Sequence, residues 1–473
     1  MSLTRQIAHN TIFQLVGKII STFLGIIVIG LLTRYLGAEK FGYYSTVIAF
    51  LQIFAVLLDL GLYIILIKKI SEPSAQTDHL VNNIFTLRFF SAIIFLGLAP
   101  LASLAFPYPT IVKLGIALTS LSYLFVSLNQ VLTGLFQKNL KMNKVALAEV
   151  LGRIVLLGAT ALVLFFKLGL LSVLVAVILG SFVNFLYVFM AARRFVKIRF
   201  VFHWSTWRNI LAEAWPIGLS VAFNLIYFKG DTVILSLYQP AADVGIYGAT
   251  YKVLEILITL PAMFAGLVMP LLTTAFALGD TLRFQKLIQR SVNFLILMSL
   301  PLIVGVQFVA KPLMLLIAGN EFAAAGNVLR ILVVATGIIF VGSLFGNAVV
   351  SVNKQKSMIW VYFLVAAISL TGYLILIPRY SYYGAAAITV LSEFLIMLGS
   401  ALMVRRAIRF RLDRSGPIRI LLATLAMASC LWLFRESHWL VLILVGFISY
   451  SLFLVLFKGI SRAEIKEILS LRG

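Results

Sequence analysis

Four charged side chains interrupt an otherwise apolar stretch between residues 224 and 257, and they are the first candidates for chemistry in this sequence. They are Lys229, Asp231, Lys252 and Glu255. A charged side chain at the centre of a bilayer costs at least about 2.5 kcal/mol, so such residues normally face the protein interior, pair with each other or line a transport path. Lys229 and Asp231 are two positions apart and point about 200° away from each other on a helix, so they cannot face the same partner. We expect at least one of them to face a cavity, where lysine would suit a phosphate or pyrophosphate.

Five further charged residues within apolar segments have a structural explanation beside a functional one. Asp59 and Arg88 fall at similar depth in successive segments, which leaves both an ion pair and a role in substrate binding open. Glu149 and Arg153 are four positions apart, which is the spacing of a salt bridge within one helix. Glu393 lies near the middle of its segment without an obvious local partner.

The composition indicates a protein that crosses a membrane many times. Of the 473 residues, 62% are hydrophobic and only 12% are charged, whereas soluble domains have roughly 25% charged residues. Apolar runs of about 20 residues, the length that spans a hydrocarbon core as a helix, recur from end to end. These runs leave no room for a sizeable soluble domain.

The net charge of +23 is a signal of membrane topology and not of nucleic-acid binding. Nucleic-acid binding requires a basic face on a water-soluble fold, whereas most basic residues here lie in short connections between apolar runs. The single cysteine, Cys430, precludes an intramolecular disulfide, and four scattered histidines offer no metal-ligand spacing. We therefore expect no metal, no cofactor and no nucleic-acid partner.

The apolar runs predict fourteen membrane spans with both termini in the cytoplasm. With this topology the inner connections hold 26 of the 39 lysines and arginines, and the outer connections hold seven. The positive-inside rule predicts this imbalance, and one missed span would invert it downstream. The spans are expected at roughly 10–33, 42–67, 82–106, 111–137, 144–166, 168–190, 209–237, 246–272, 291–317, 326–351, 357–377, 383–404, 417–434 and 438–457.

A short motif occurs twice, 203 positions apart, and indicates an internal duplication. LTRYLGAEKFGYYS at 32–45 aligns with LSLYQPAADVGIYG at 235–248, and an Arg-Arg pair ends each block of six spans, at 193–194 and 405–406. We expect a parallel repeat of two six-helix bundles around a cavity, at residues 1–200 and 201–410, followed by two additional transmembrane helices and a cytoplasmic tail at 411–473. The alignment places Tyr35, Ala38, Gly42 and Tyr44 on Tyr238, Ala241, Gly245 and Tyr247.

The two halves differ in their charges. The motif itself is shared, so we interpret it as structural. The four charged residues of the second half have neutral counterparts in the first, so any function of this stretch is expected to reside in those charges. Lys229, Asp231, Lys252 and Glu255 align with Ile26, Val28, Ala49 and Gln52.

Two inner connections are long and strongly basic, and each follows a block of six spans. They lie at 193–208 and 405–417. Their charge favours topology together with attraction to anionic inner-leaflet lipid, or a first contact for an anionic lipid head group. Residues 273–290 alternate apolar and basic side chains, and we expect them to form an amphipathic helix along the inner surface.

Sequence motifs of hydrolytic enzymes do not occur in this chain. It has no GxxxxGK[ST] motif for ATP, no HExxH motif of metalloproteases and no GxSxG motif of serine hydrolases. We therefore assign no catalytic residue and expect a protein that is not an enzyme. A membrane enzyme of lipid-linked sugar assembly, such as a polymerase or ligase, is the alternative from a different class, although such an enzyme would be expected to carry a large outer loop.

Four segments carry a family resemblance: NTIFQLVGK from residue 10, LLTRYLGAEKFGYYS from residue 31, LDLGL from residue 58, and GDTVILS with VGIYGATYK from residues 230 and 244. With the plan of six, six and two spans, they resemble the polysaccharide biosynthesis flippases. These are the Wzx-type exporters of the multidrug/oligosaccharidyl-lipid/polysaccharide (MOP) superfamily. The resemblance implies an all-α, MATE-like fold of fourteen transmembrane helices whose bundles open alternately inward and outward. It also implies movement of an undecaprenyl-pyrophosphate-linked oligosaccharide from the inner to the outer leaflet of the cytoplasmic membrane.

The resemblance further implies roles for the charged residues. Cavity cations would hold the lipid pyrophosphate, and candidate coupling or pairing carboxylates would accompany them. Expected partners are the lipid-linked oligosaccharide, membrane lipids and polysaccharide assembly enzymes. The cations are Arg88, Arg153, Lys229 and Lys252, and the carboxylates are Asp59, Asp231, Glu255 and Glu393.

An alternative within the same superfamily is a cation-coupled drug or metabolite antiporter. Its coupling carboxylate would be Asp59, Asp231 or Glu393. For the flippase, we expect Lys229→Ala or Arg88→Ala to abolish surface polysaccharide at normal protein abundance.

Overall fold

The computed structural model describes residues 3–59, 61–72, 76–408 and 412–459, and the side chains of these residues except 3–12, 216, 217, 220 and 226. The side chain of Arg5 and the predicted cytoplasmic tail from residue 460 lie outside this description. So do five further basic residues used to predict the topology, Arg409, Arg411, Arg462, Lys466 and Arg472.

The described part of the chain is helical and contains no strand. Helices satisfy every backbone hydrogen bond within one segment, which is what a lipid environment requires of apolar sequence. A short 3₁₀ helix, Asn320–Phe322, precedes α11. The helices are α1 Leu3–Asp59, α2 Leu62–Ile70, α3 Thr77–Leu104, α4 Thr110–Lys138, α5 Met142–Phe165, α6 Leu170–Ala192, α7 Trp204–Tyr238, α8 Ala241–Leu257, α9 Thr259–Ala277, α10 Thr281–Ala318, α11 Ala325–Ser351, α12 Gln355–Ala407, α13 Ser415–Leu433 and α14 Trp439–Leu456.

Two of these elements contain a sharp break that separates predicted spans. In α1 the break is at Gly37, whose φ of 68° and ψ of 177° are accessible because glycine has no Cβ. In α12 it is at Ser381, with a φ of 49°. The predicted turns between spans 1 and 2 and between spans 11 and 12 are therefore present, but helix resumes at once on the far side of each.

The number of membrane crossings agrees with the prediction only in part. The described residues contain eleven helical stretches long and apolar enough to cross a membrane. Two of them, 13–70 and 355–407, have 58 and 53 residues, enough for two crossings each. The protein is thus a multi-pass membrane protein, and the count of fourteen stays a prediction.

One of two sequence predictions at the start of the second half is wrong in detail. The span expected at 246–272 lies within a single apolar helical stretch, 241–277, in which α8 and α9 meet at Ile258 ahead of Pro261. The amphipathic helix expected at 273–290 is not a separate element, because α9 runs to Ala277 and α10 begins at Thr281 and continues unbroken for 38 residues. The basic first turns of α10 and the apolar remainder of α10 therefore form one continuous helix.

By the density of its contacts the chain divides into two compact units. Unit 1 is 1–248 with the short segments 317–321 and 373–382, and unit 2 is 249–316, 322–372 and 383–473. In unit 1, α2, α3, α4 and α7 share a core that contains Leu66, Ile84, Leu132 and Ile210. In unit 2, α13 and α14 pack on α10, where the Tyr450 hydroxyl donates to the Leu297 carbonyl at 2.7 Å. The three predicted domains remain a proposal.

The two copies of the repeated motif touch each other within unit 1. A Cβ on Gly42 would lie 1.7 Å from the Ala241 carbonyl oxygen, and a Cβ on Gly245 would lie 2.0 Å from the Ala38 carbonyl oxygen. Because Gly42 aligns with Gly245 and Ala38 with Ala241, each copy meets the other through equivalent atoms, as in a two-fold contact. The shared glycines are therefore required for backbone to approach backbone, which is a structural role.

Candidate functional site

Arg88 on α3 lies at the centre of a buried polar network in unit 1. Its side chain is 1% exposed, and its Nε donates to the Ser127 hydroxyl at 2.8 Å. Its two terminal nitrogens donate to Asp59 and Gln130. Of the two possibilities for Asp59 and Arg88, the ion pair is the one present, and a substrate phosphate could bind this guanidinium only by displacing a protein partner.

The Asp59 carboxylate also organises a helix break. Gly61 has a left-handed φ of 79° between α1 and α2, and Asp59 Oδ1 accepts the backbone N–H of Tyr63 at 3.4 Å in the first turn of α2. The DLGL motif therefore interrupts the second predicted span and places a carboxylate where it meets Arg88.

Lys18 is the partner of Glu149. Lys18 Nζ lies 3.1 Å from Glu149 Oε1, across 131 positions of sequence, and joins α1 to α5. The salt bridge considered for Glu149 and Arg153 from their spacing is therefore not formed, whereas the role of Arg153 in substrate binding stays a prediction. The reason for the different partner is a close helix approach, because a Cβ on Gly17 would lie 2.8 Å from Ala146 Cβ and only glycine lets α1 come this near.

Arg153 has no counter-charge within the described part of the chain. The residue is half-buried on α5, and among the described residues it makes neither an ion pair nor a hydrogen bond. It faces α1, where its Nη1 lies 4.0 Å from the position a Cβ on Gly25 would take. A guanidinium offers five N–H donors in a fork that matches phosphate, so Arg153 could bind an anion without giving up a polar partner among the described residues.

Lys229 and Asp231 on α7 are both buried, at 8% and 0% exposure. Asp231 Oδ2 accepts the hydroxyl of Tyr247 at 2.6 Å, and its Oδ1 accepts the backbone N–H of Thr232 at 2.5 Å. Lys229 Nζ lies 5.2 Å from the centre of the Phe228 ring, within the range of a cation–π contact. Both charges are covered in this conformation, so a role in a cavity stays a prediction.

In unit 2, Lys252 and Glu255 form an ion pair on α8, with Lys252 Nζ 2.8 Å from Glu255 Oε2. Both side chains are half-buried, and the i, i+3 spacing places them on one helix face. This geometry supports the pairing role considered for Glu255. It also means that Lys252 already has a counter-ion.

Glu393 on α12 is the most isolated of the candidate carboxylates. It is 8% exposed, and it forms no hydrogen bond or ion pair with any residue that the structure describes. Tyr362 of the same element interacts with its charge electrostatically. A carboxyl group buried without a partner is costly in its ionised form, so the site favours either a bound proton or a bound cation.

Sequence reasoning missed most of the neutral partners of these charges. Ser127, Gln130 and Tyr247 each bind a predicted site residue, yet none carries a charge that would single it out in an apolar run. Tyr247 stands out in the sequence only as a residue of the repeated motif, and not as a partner of Asp231. No group of three or more potential metal ligands occurs among the described residues.

Comparison with protein families identifies relatives along most of the chain. A family model described as "Polysaccharide biosynthesis protein" matches residues 7–276, and the MatE model matches residues 216–375. A Shigella flexneri protein named "Putative O-antigen transporter" is 22% identical over 397 residues, which cover 80% of this chain and 93% of the relative. The succinoglycan biosynthesis transport protein ExoT of Rhizobium meliloti (strain 1021) is 24% identical over 381 residues, covering 78% and 74%.

The fold is that of known membrane transporters. A solved structure of the lipid II flippase MurJ in an inward closed conformation superposes with a TM-score of 0.79 and 16% identity. The match covers 94% of this chain and 99% of that one. At this identity the likeness establishes the fold alone.

Proposed function

Because this chain belongs to the polysaccharide biosynthesis protein family, we propose that it moves a lipid-linked oligosaccharide from the inner to the outer leaflet of the cytoplasmic membrane. The names of its relatives, an O-antigen transporter and a succinoglycan transport protein, support transport and not catalysis. The carried lipid is an undecaprenyl pyrophosphate that bears the oligosaccharide of an O-antigen, capsule or exopolysaccharide. Both termini lie in the cytoplasm, and polysaccharide assembly enzymes are the expected partners.

The observation that carries this proposal is Arg153, a half-buried arginine with no counter-charge among the residues that the structure describes. In the proposed mechanism its guanidinium binds the pyrophosphate while the prenyl tail stays in lipid, and no covalent bond changes. Lys229 assists from α7. Arg88 and Lys252 could join only by exchanging their present partners, Asp59 and Glu255, for the substrate.

A gene deletion tests the proposed function in cells. We expect the deletion strain to lose surface polysaccharide and to accumulate the lipid-linked oligosaccharide, and a plasmid copy of the gene to reverse both. Normal surface polysaccharide together with a new sensitivity to small toxic cations would instead identify a drug antiporter.

The antiporter is the second candidate because Glu393 is buried with no hydrogen bond or ion pair to any described residue, and because the MatE model matches residues 216–375. The same carboxyl could equally couple the flippase to a proton or sodium gradient. We expect Glu393→Gln to lower the transport rate by about 5- to 150-fold and to remove its dependence on the gradient, since typical coupling free energies correspond to that range. Transport by purified protein in vesicles, with and without each gradient, measures both effects. Glu255→Gln, whose carboxylate is already paired, is the matched control.

Equal dependence on the gradient in wild type and Glu393→Gln would show that this carboxyl does not couple transport. Indifference of the wild type to both gradients would show that no coupling exists.

Alternating access also requires the contact between the repeated turns to separate. We expect Gly42→Ala to force this contact apart, because the new methyl group would overlap the Ala241 carbonyl oxygen. Export should fall by about fivefold or more, the lower end of conformational coupling energies. A Ser45→Cys reporter should at the same time react faster with an impermeant maleimide in a Cys430→Ser background, since Ser45 lies against Gly248 in this contact.

The control for this experiment is Gly97→Ala on α3, where an added Cβ meets no atom within 4 Å. It should leave both export and labelling unchanged. Normal export and labelling in Gly42→Ala would show that the glycine contact does not govern the outer opening.

A further inference from the structure

The basic connection after α6 is firmly attached to α3 although it has no regular secondary structure. Residues 197–203 run extended along the helix, and alternate backbone groups bind three buried polar side chains of α3. Asn82 Nδ2 donates to the Lys197 carbonyl (3.0 Å), and the N–H groups of Arg199, Val201 and His203 donate to Asn82 Oδ1 (3.0 Å), Thr86 Oγ1 (2.9 Å) and Asn83 Oδ1 (3.1 Å).

This attachment places Phe200 in the lining of an apolar cavity, although 62% of its side chain is exposed. The Phe200 ring lies 5.0 Å from the Phe89 ring and 6.0 Å from the Phe85 ring. The cavity has a volume of about 300 Å³ and lies within unit 1, between α3, α4, α6 and the connection. That volume is at the lower end of the range for small-molecule sites. Six phenylalanines line it: Phe85, Phe89, Phe125, Phe185, Phe189 and Phe200.

Arg199 also lines the cavity, and its surroundings are basic. Residues 193–208 contain five exposed cations and no acidic residue. None of the five forms an ion pair within the part of the chain that the structure describes. The five are Arg193, Arg194, Lys197, Arg199 and Arg208.

Two exposed aromatic residues place this connection at a membrane surface. Phe202 and Trp204 are both 64% exposed, and rings of this kind occur at the level of lipid head groups. The cavity would then open at the depth where lipid tails begin. Apolar lining below and a basic rim above are complementary to a lipid with an anionic head group.

We infer that this cavity binds an anionic phospholipid of the inner leaflet, with an acyl chain among the phenylalanines and the phosphate on Arg199. The choice of leaflet rests on the topology in the proposed function, whereas the site itself rests on the cavity and its charge. Phosphate on an otherwise unpaired guanidinium gains charge-assisted hydrogen bonds. The bound lipid would also bridge the connection to α4 and α6.

A bilayer phospholipid fits the cavity better than the transported lipid does. Apart from Arg199, the lining is Phe, Leu and Ile, with no polar side chain to bind a sugar. The proposed pyrophosphate ligand, Arg153, is not among the residues that line this cavity. The lipid would thus be a structural ligand and not a substrate in transit.

Retention of lipid by the purified full-length protein, measured by native mass spectrometry, tests the inference. We expect wild-type protein to retain phosphatidylglycerol in preference to phosphatidylcholine of the same chains. Arg199→Gln should weaken retention of phosphatidylglycerol by about tenfold or more, as loss of a charge-assisted hydrogen bond predicts. Arg199→Lys should retain most of the preference, because the charge is kept.

Lys197→Gln is the matched control, since it removes an equal charge from the same connection at a position that does not line the cavity. Equal losses of phosphatidylglycerol retention in Lys197→Gln and Arg199→Gln would show that the lipid is held by general attraction to a basic surface and not by this site. Leu124→Trp, which fills the cavity, should lower retention without a change in charge, and unchanged retention in this variant would overturn the inference.

Two competitors identify the ligand. Undecaprenyl pyrophosphate should not displace phosphatidylglycerol, and displacement that depends on Arg199 would assign the cavity to the transported lipid instead. Inorganic phosphate should not compete either. Competition by phosphate would show that the site recognises only the head-group phosphate and not the acyl chain. All of these readouts are independent of transport, so they stand even if the proposed function fails.

Discussion

Replacing Arg153 with glutamine is expected to abolish polysaccharide export while the protein stays in the membrane at its normal level. The arginine has no ion pair or hydrogen bond among the described residues, so its replacement by glutamine breaks no polar contact with them. Its proposed ligand, a pyrophosphate, would lose a bidentate partner whose charge-assisted bonds contribute about 1.5–3 kcal/mol each. At about 1.4 kcal/mol per factor of ten, two such bonds correspond to a loss in affinity of about a hundredfold or more.

Surface polysaccharide and membrane abundance of the protein, measured on the same cells, check this result. Arg153→Lys should retain part of the export, because lysine keeps the charge but not the planar fork. Lys113→Gln removes a charge from the first turn of α4, at a lysine that is not among the candidate substrate cations, and should export normally. Full export by Arg153→Gln at normal abundance would show that Arg153 does not bind the substrate.

Arg88→Ala should have the largest effect on stability of any substitution at the charged sites. Its removal would leave Asp59 without its counter-charge in a mostly buried position, and breaking a buried ion pair in this way typically costs about 3–5 kcal/mol. Export should therefore fall together with the amount of folded protein. This differs from the expectation based on sequence, in which Arg88→Ala left abundance normal.

Removing both charges separates stability from function at this site. Arg88→Leu combined with Asp59→Leu should recover abundance, because apolar residues can replace a buried ion pair at little cost. The thermal midpoint in detergent and the abundance in membranes measure the recovery. Arg330→Ala is the control: this exposed arginine of unit 2 donates hydrogen bonds to Gln307 and Asn327 but forms no ion pair among the described residues, so its loss should change both far less than Arg88→Ala does. Normal abundance of Arg88→Ala would contradict the structural role and return Arg88 to the substrate cations.

The positions of most helices could be predicted from hydropathy alone. The tenth span, for example, was expected at 326–351 and is observed as α11, Ala325–Ser351. Bilayer thickness fixes the length of an apolar run, so the pattern contains this information. The breaks were harder to predict. A hydropathy profile does not report backbone conformation. The second predicted span stays apolar through the left-handed Gly61, and the eighth stays apolar through the junction at Ile258, so neither break is visible in the profile.

Side-chain partners depend on how helices are rotated against one another, and one sequence does not contain that information. Similar depth was enough to suggest the pair of Asp59 and Arg88. Spacing along one helix suggested the wrong partner for Glu149, because Lys18 reaches it from α1, 131 positions away. The difference matters for function, since the pairing of Glu149 with Lys18 leaves Arg153, one of the predicted cavity cations, with no ion pair among the described residues.

For the repeated motif, too, the sequence identifies equivalent residues but not their contacts. Alignment at an offset of 203 identified Gly42 and Gly245 as equivalent positions. Only the structure shows that the two glycines lie against each other's turns, where a side chain would clash with a carbonyl oxygen. The charged residues of the second half that align with neutral residues have partners of their own: Asp231 accepts a hydrogen bond from Tyr247, and Lys252 pairs with Glu255.

The most direct test of the proposed function is movement of the native lipid by the purified protein. Lipid-linked oligosaccharide from the deletion strain is placed in sealed vesicles with wild-type protein, with Arg153→Gln or with no protein, and an impermeant glycosidase is added outside. We predict that wild-type protein brings nearly all of the oligosaccharide within reach of the enzyme, whereas Arg153→Gln leaves the inner-leaflet half protected, as in vesicles without protein. Equal protection in wild-type and protein-free vesicles would contradict the claim that this chain is a flippase.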